Sequence, residues 1–130
     1  MNAPTSPSKA QRIAGHVLSS LVALLLTFSA IMKLTQGAQV KEGFTQMGLP
    51  ESLILPLGII ELVSAALSVI PKTRFWGVIL ITGYMGGAIV THLRLGQPPV
   101  MQILVGVVAW VGLALRDTRI RDLALNSPQR

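Results

Sequence analysis

Four long apolar segments constrain the fold of this chain most strongly. Each approaches the roughly 20 residues that a helix needs to cross the hydrocarbon core of a bilayer. Pro50, Pro71 and the GQPP sequence at 96–99 separate them. We therefore predict an all-α fold, a four-helix transmembrane bundle, with a membrane domain over residues 13–115. The predicted helices cover residues 13–34, 53–70, 75–93 and 98–115.

The composition also favours a membrane protein over a soluble domain. Apolar residues make up 51% of the 130 residues, and charged residues only 12%. A signal peptide is the alternative for the first segment, but its apolar core exceeds the roughly 7–15 residues typical of one. The chain has no cysteine, so disulfides and thiolate metal sites are excluded. Motifs for ATP binding, zinc proteolysis or serine hydrolysis are missing, and no metal site is predicted.

The basic residues predict the orientation of the helices. In a four-helix arrangement, eight of the 11 Lys and Arg residues flank the side that holds both termini, and three flank the other. The eight are Lys9, Arg12, Lys72, Arg74, Arg116, Arg119, Arg121 and Arg130, and the three are Lys33, Lys41 and Arg94. The positive-inside rule then places the N- and C-termini in the cytoplasm, most simply of a bacterium with the protein in its inner membrane. Because these charges border helices, they indicate no nucleic-acid binding.

Two terminal segments lie outside the membrane domain. Residues 1–12 are rich in Pro and Ser, and we expect them to be disordered. Residues 116–130 form a basic cytoplasmic tail, for which an interfacial helix and a solvated segment are equally good interpretations.

Glu61 is the residue that most needs an explanation. It lies about 12 Å inside the second predicted helix, close to the midplane of a hydrocarbon core roughly 30 Å thick. An ionised carboxylate there costs on the order of 3 kcal/mol, so Glu61 needs a partner or must be protonated. Gly58, Ser64, Ala65 and Ser68 share its helix face. Small residues mark contacts between membrane helices, so we expect Glu61 to face the interior of the bundle.

Four polar side chains on other helices are candidate partners of Glu61. Lys33 ends the first helix, where it can either pair with Glu61 or extend towards the membrane surface. His92 and Arg94 end the third helix, and Tyr84 lies near its middle, where a buried hydroxyl needs a partner. Together with Glu61 they are our candidates for lining a ligand pocket. Interfacial roles are the alternative for His92 and Arg94.

Glycines are predicted to bring helices together. Gly83 and Gly87 form a GxxxG pattern with Gly86 beside it, and Gly58 lies near Glu61. Glycine at such positions permits close backbone approach, so we predict helix packing there. The alternative for the three glycines beside Tyr84 is that they leave space for a flat ligand.

The segments GIIELVSAALSVIPKTRFWGVILITGYMGGAIVTHLRLGQP and GVVAWVGLALRD resemble the DoxX-like family of small four-helix membrane proteins. The resemblance covers roughly residues 15–118. It implies a four-helix integral membrane fold, and it associates some relatives with quinone-linked thiosulfate oxidation, oxidant response or assembly of membrane proteins. The motif residues are Lys33, Glu61, Thr91, His92 and Arg94, and the resemblance assigns no catalytic role to them.

Three functions of different classes follow. The first is an accessory subunit, linked to membrane redox or oxidant response, that binds a quinone-like or other lipophilic small molecule. The second is a scaffold or assembly factor in which the polar cluster only sets helix register. The third is an intramembrane acid/base enzyme that uses Glu61 and His92. No cofactor is evident, and we expect the bilayer, membrane or redox partner proteins and copies of the same chain as partners.

Overall fold

The computed structural model describes residues 6–126 and consists of helices joined by short connections. Four long helices correspond to the four apolar segments, and two short helices lie between or after them. A single 3₁₀ turn, Glu51–Leu53, leads into the third helix. The helices are α1 (Lys9–Leu34), α2 (Ala38–Gln46), α3 (Ile54–Val69), α4 (Arg74–Arg94), α5 (Val100–Arg116) and α6 (Thr118–Leu125).

The helix ends differ from the predicted boundaries where capping residues decide them. Ser8 and Gln11 form a capping box, in which each side chain accepts a hydrogen bond from the main-chain N–H of the other. Residues 9–12, which we expected to be disordered, are therefore helical, and residues 1–5 lie outside the described part. Pro98 and Pro99 precede α5 instead of forming its first turn, because Pro99 occupies the N-cap position.

The four long helices form an antiparallel ring. α1 packs against α3 and α5, and α4 packs against the same two helices. The hydrophobic core lies along the axis of this ring and consists of Val22, Leu26, Ala65, Val78, Ile81, Met85, Val105, Ala109 and Leu113. Large apolar side chains such as Leu24, Phe28 and Val90 point outwards and are about two-thirds exposed. An outer surface of this kind is the one that a bilayer covers.

Helices approach one another most closely at the end of the bundle where α1 begins and α5 ends, here called the terminal end. A Cβ atom on Gly77 would lie 2.2 Å from the main-chain nitrogen of Ser68, so α4 contacts the backbone of α3 directly. A Cβ atom on Gly112 would lie 2.7 Å from the hydroxyl of Ser19, and one on Gly15 would lie 2.9 Å from the Gly112 carbonyl. Only glycine permits these contacts.

Through Ile120, helix α6 packs against the hydrophobic core, and this helix is bent by 111° relative to α5. Asp117 caps it by accepting the main-chain N–H of Arg119, and it also accepts two hydrogen bonds from the Arg119 guanidinium. The same carboxylate lies 3.7 Å from Arg74 at the start of α4. The first part of the tail is thus helical. Its location at a membrane surface stays a prediction. Residues 127–130 lie outside the described part.

Three helical segments are each long and apolar enough to cross a membrane: α1, α3 with its preceding turn, and α4. The fourth, α5, reaches that standard only when it is taken together with α6. Its 17 residues correspond to about 26 Å of helix, which is the lower limit for a membrane-spanning segment.

Candidate functional site

A buried ion pair joins α1 to α3. Lys33 Nζ lies 2.7 Å from Glu61 Oε2, and it donates a second hydrogen bond of 2.7 Å to Ser29 Oγ. The Glu61 side chain is 3% exposed, whereas that of Lys33 is 15% exposed. Glu61 therefore faces the interior as predicted, and of the two alternatives for Lys33 the structure shows the inward pairing.

Local sequence explains why Lys33 reaches Glu61. Ser29 lies one turn before Lys33 on the same helix face. Gly58 lies one turn before Glu61, and a Cβ atom there would be 3.0 Å from the Lys33 Cβ and 3.3 Å from Leu34 Cδ2. Glycine at position 58 thus lets the end of α1 lie directly against α3. The predicted packing role of Gly58 agrees with this contact.

Tyr84 approaches the same carboxylate from α4. Its side chain lies near enough to Glu61 for the two groups to interact electrostatically, and its ring packs against the hydrophobic core. Glu61 consequently receives one cationic donor, from α1, and lies near a neutral donor group on α4. Such donors stabilise an ionised carboxylate in a medium that contains no bulk water.

His92 belongs to a separate polar contact between α4 and α5. Its Nδ1 lies 2.8 Å from the carbonyl oxygen of Ala88, and its Nε2 lies 3.2 Å from Gln102 Nε2. This geometry fits a neutral ring that donates from Nδ1 and accepts the Gln102 amide at Nε2. His92 lies two helical turns beyond Tyr84, and the described contacts do not join it to Glu61. The acid/base pair that the third function requires is therefore not formed in this structure.

Arg94 fixes the position of the short helix α2. Its guanidinium donates to the main-chain oxygen of Met47, the residue that ends α2. Gly48 follows with φ of 69°, and the main-chain N–H groups of Gly48 and Leu49 bond back to Thr45 and Phe44. This is a Schellman termination, which favours glycine at position 48. Arg94 thus connects the end of α4 to α2.

An open pocket of about 340 Å³ lies between α1 and α2, next to the ion pair. Its lining residues are apolar except for Ser29 and Lys33. The residues that line it are Phe28, Ser29, Met32, Lys33, Val40, Gly43, Phe44 and Met47. Of the five predicted pocket residues, Lys33 alone lines this pocket. Glu61 contacts Lys33 from α3, and Tyr84 lies near Glu61 on α4. Arg94 contacts Met47 at the end of α2, whereas His92 contacts Gln102 outside the pocket.

The α4 glycines occupy a different environment from the predicted one. A Cβ atom on Gly83, Gly86 or Gly87 would meet nothing within 4 Å among the described residues. These glycines therefore bring no pair of helices together within residues 6–126, because their face of α4 points away from α3 and α5. The close contact that α4 does make with α3 depends on Gly77, which the sequence analysis did not select.

Comparison with protein-family models gives a match to the DoxX-like family over residues 17–115, which include α2, α3, α4 and most of α1 and α5. The chain belongs to the DoxX-like family. The match and the apolar helices together make it a membrane protein. Searches of curated proteins and of solved structures gave no match.

The pocket wall formed by α2 is the part of the site of this DoxX-like protein that sequence reasoning missed. We assigned no element to the connection between the first two apolar segments. Yet Val40, Gly43, Phe44 and Met47 recur at intervals of three and four residues, which is the signature of an amphipathic helix. A short helix with mostly polar residues between two membrane segments is easily read as a loop.

The described part of this DoxX-like protein brings no three His, Cys, Asp or Glu side chains together where they could hold a metal ion. The chemistry that the site offers is instead hydrogen bonding from one ammonium group and one hydroxyl at the edge of an apolar pocket.

Proposed function

We propose that this DoxX-like protein binds a lipophilic small molecule in the α1–α2 pocket and serves as an accessory subunit of a membrane redox or oxidant-response system. The observation that carries the proposal is the pocket itself. Its volume of about 340 Å³ falls within the range of roughly 300–1,000 Å³ for small-molecule sites. Apolar walls with a few convergent polar groups are typical of such sites.

Access to the pocket supports a ligand that resides in the membrane. Phe28 lines the pocket and is 66% exposed on the apolar outer surface of α1. A lipophilic molecule can therefore enter sideways from the lipid, with its polar head directed at Lys33. A quinone-like head group, with a carbonyl oxygen on a flat ring, fits this description. The redox link rests on the family resemblance, and the bacterial inner membrane rests on the distribution of Lys and Arg.

Filling the pocket tests this function. Gly43 lines the pocket, and a Cβ atom there would meet nothing within 4 Å. Gly43→Phe should therefore occupy the pocket without a clash. Gly106 in α5 is a matched control, because it has equally open surroundings and does not line the pocket.

The experiment is native mass spectrometry of protein released from its own membranes in a mild detergent. We expect wild type and Gly106→Phe to carry a co-purifying lipophilic molecule, and Gly43→Phe to lose it. Equal retention by Gly43→Phe, or no bound molecule in any of the three proteins, would contradict the proposal.

A scaffold or assembly role is the second candidate function, and one observation favours it. Gly83, Gly86 and Gly87 leave an open small-residue face on α4, of the kind that membrane helices use for mutual contact. In this role a partner protein's transmembrane helix covers the face. Gly87→Leu should then dissociate a complex seen by native gel electrophoresis, whereas Gly106→Leu should leave it intact. An unchanged complex in both variants would remove this candidate, and a complex of identical chains would indicate a homo-oligomer instead.

A further inference from the structure

We infer that the α1–α2 pocket selects neutral ligands that carry an acceptor oxygen over anionic ligands of the same size, and that Glu61 sets this selectivity. The inference rests on the proposed binding function and specifies the chemical class of the ligand. It makes Glu61 a specificity-determining residue that acts through Lys33, without touching the ligand itself.

The hydrogen-bonding capacity of Lys33 limits the ligands that the pocket can bind. An ammonium group has three donors, and two of them are directed at Ser29 Oγ and Glu61 Oε2, both at 2.7 Å. Lys33 lines the pocket and its side chain is 15% exposed. One N–H therefore remains for a ligand, which must supply an acceptor such as a carbonyl oxygen.

The charges of Lys33 and Glu61 also limit the ligands that the pocket can bind. Glu61, 3% exposed, lies behind Lys33 and neutralises it, so the ion pair has no net charge. Lys33 is the sole charged residue of the pocket wall in the described part of the chain. Arg94 keeps its positive charge while it contacts the Met47 carbonyl, but it does not line the pocket.

An anionic ligand would be poorly accommodated in these surroundings. It would place a second negative charge near an ammonium group that Glu61 already neutralises, and it would lose its hydration in an apolar pocket. A neutral acceptor receives the same hydrogen bond without that electrostatic cost. Rejection of the charged ligand thus supplies the specificity.

The apolar side chains of the pocket wall determine which body the ligand can have. Phe28 and Phe44 contribute aromatic rings, and Met32 and Met47 contribute flexible thioethers. Thioether and aromatic side chains adapt to rings and alkyl chains without specific polar contacts. The expected ligand is a neutral lipid with a hydrogen-bond acceptor on its polar head.

The test compares two ligands with the same alkyl chain, dodecyl methyl sulfone and dodecane sulfonate. Both present sulfur-bound oxygens, but the sulfonate is a permanent anion and the sulfone is neutral. Equilibrium binding of the radiolabelled compounds is measured with full-length protein in nanodiscs, and binding to empty nanodiscs is subtracted. We expect wild type to bind the sulfone about tenfold more tightly than the sulfonate, whereas Glu61→Gln should reverse this preference.

Two further variants keep the test decisive. Gly106→Phe, which lies outside the pocket, should keep the preference for the sulfone and serves as the control. If Glu61→Gln does not fold, the comparison of the two ligands in wild type still decides the selectivity. Gly43→Phe should lose both ligands, which locates binding in the pocket.

Three results of the binding experiment would contradict the inference or the proposed function. Equal or tighter binding of the sulfonate by wild type would overturn the inference while the proposed function stands. An unchanged preference in folded Glu61→Gln would overturn the role of Glu61. No binding of either compound above empty nanodiscs would overturn the proposed function and the inference with it.

Discussion

At the terminal end of the bundle, helices meet through glycine with backbone against backbone, whereas at the opposite end side chains separate α1 from α2 around a pocket. Gly77 and Gly112 leave no room even for a methyl group at the terminal end. At the opposite end, here called the α2 end, Gly43 borders about 340 Å³ of open space. The terminal end is thus closed by backbone contacts, and the α2 end retains space for a ligand.

The charged groups show the same contrast. Asp117 at the terminal end binds Arg119 and lies near Arg74, and these contacts link α6 to α4. The carboxylate of Glu61 at the α2 end binds one lysine, which in turn reaches the pocket. A carboxylate that only links helices needs no neighbouring cavity, so the cavity beside Lys33 is what distinguishes a candidate site from a structural ion pair.

The largest effect is expected from breaking the ion pair at the α2 end. Lys33→Met leaves Glu61 buried without its cation, and such a change costs about 3–5 kcal/mol. The double variant Lys33→Met with Glu61→Leu should recover most of this loss, because it removes both charges. The free energy of unfolding of the single and the double variant is measured in the same detergent. A single variant as stable as wild type would show that the pair contributes nothing to the fold.

A smaller loss is expected from overpacking the terminal end. Gly77→Ala places a methyl group 2.2 Å from the Ser68 nitrogen, so the α3 and α4 backbones must move apart, at a cost of about 1–3 kcal/mol. Gly83→Ala is the matched control on the same helix. It meets open space and should stabilise α4 by up to about 1 kcal/mol through helix propensity. Thermal unfolding of the two variants should shift in opposite directions, and equal shifts would contradict the close contact.

The smallest effect concerns Asp117. Hydrogen bonds from Arg119 lower the pKa of the Asp117 carboxyl, and Arg74 acts in the same direction. A lowered pKa means that the contribution of Asp117 is complete above the unfolded value of about 3.9 and is lost as the pH falls through the folded value. Asp117→Ala should cost about 1 kcal/mol at pH 7 through the lost cap. The difference from wild type should shrink below about pH 4, and a difference that is constant with pH would contradict the assignment.

Sequence reasoning predicted the helices and the direction of Glu61 because both follow from hydrophobic pattern and helix periodicity. It also limited the partners of Glu61 to a few groups, of which Lys33 binds it directly and Tyr84 lies nearby. It could not place His92 beside Gln102, since that contact depends on how α4 and α5 rotate against each other. The face of α4 that packs was equally hidden, because Gly77 and Gly83 look alike in sequence and only the fold distinguishes them.

Photolabelling tests the central claim that the α1–α2 pocket binds a lipophilic ligand. The probe is a neutral alkyl ketone that carries a diazirine, applied to the protein in nanodiscs and followed by peptide mapping. We predict labelling within residues 28–47, with loss of that labelling in Gly43→Phe and no loss in Gly106→Phe. Labelling spread over the outer faces of all helices, or confined to the glycine face of α4 and unaffected by Gly43→Phe, would contradict the account.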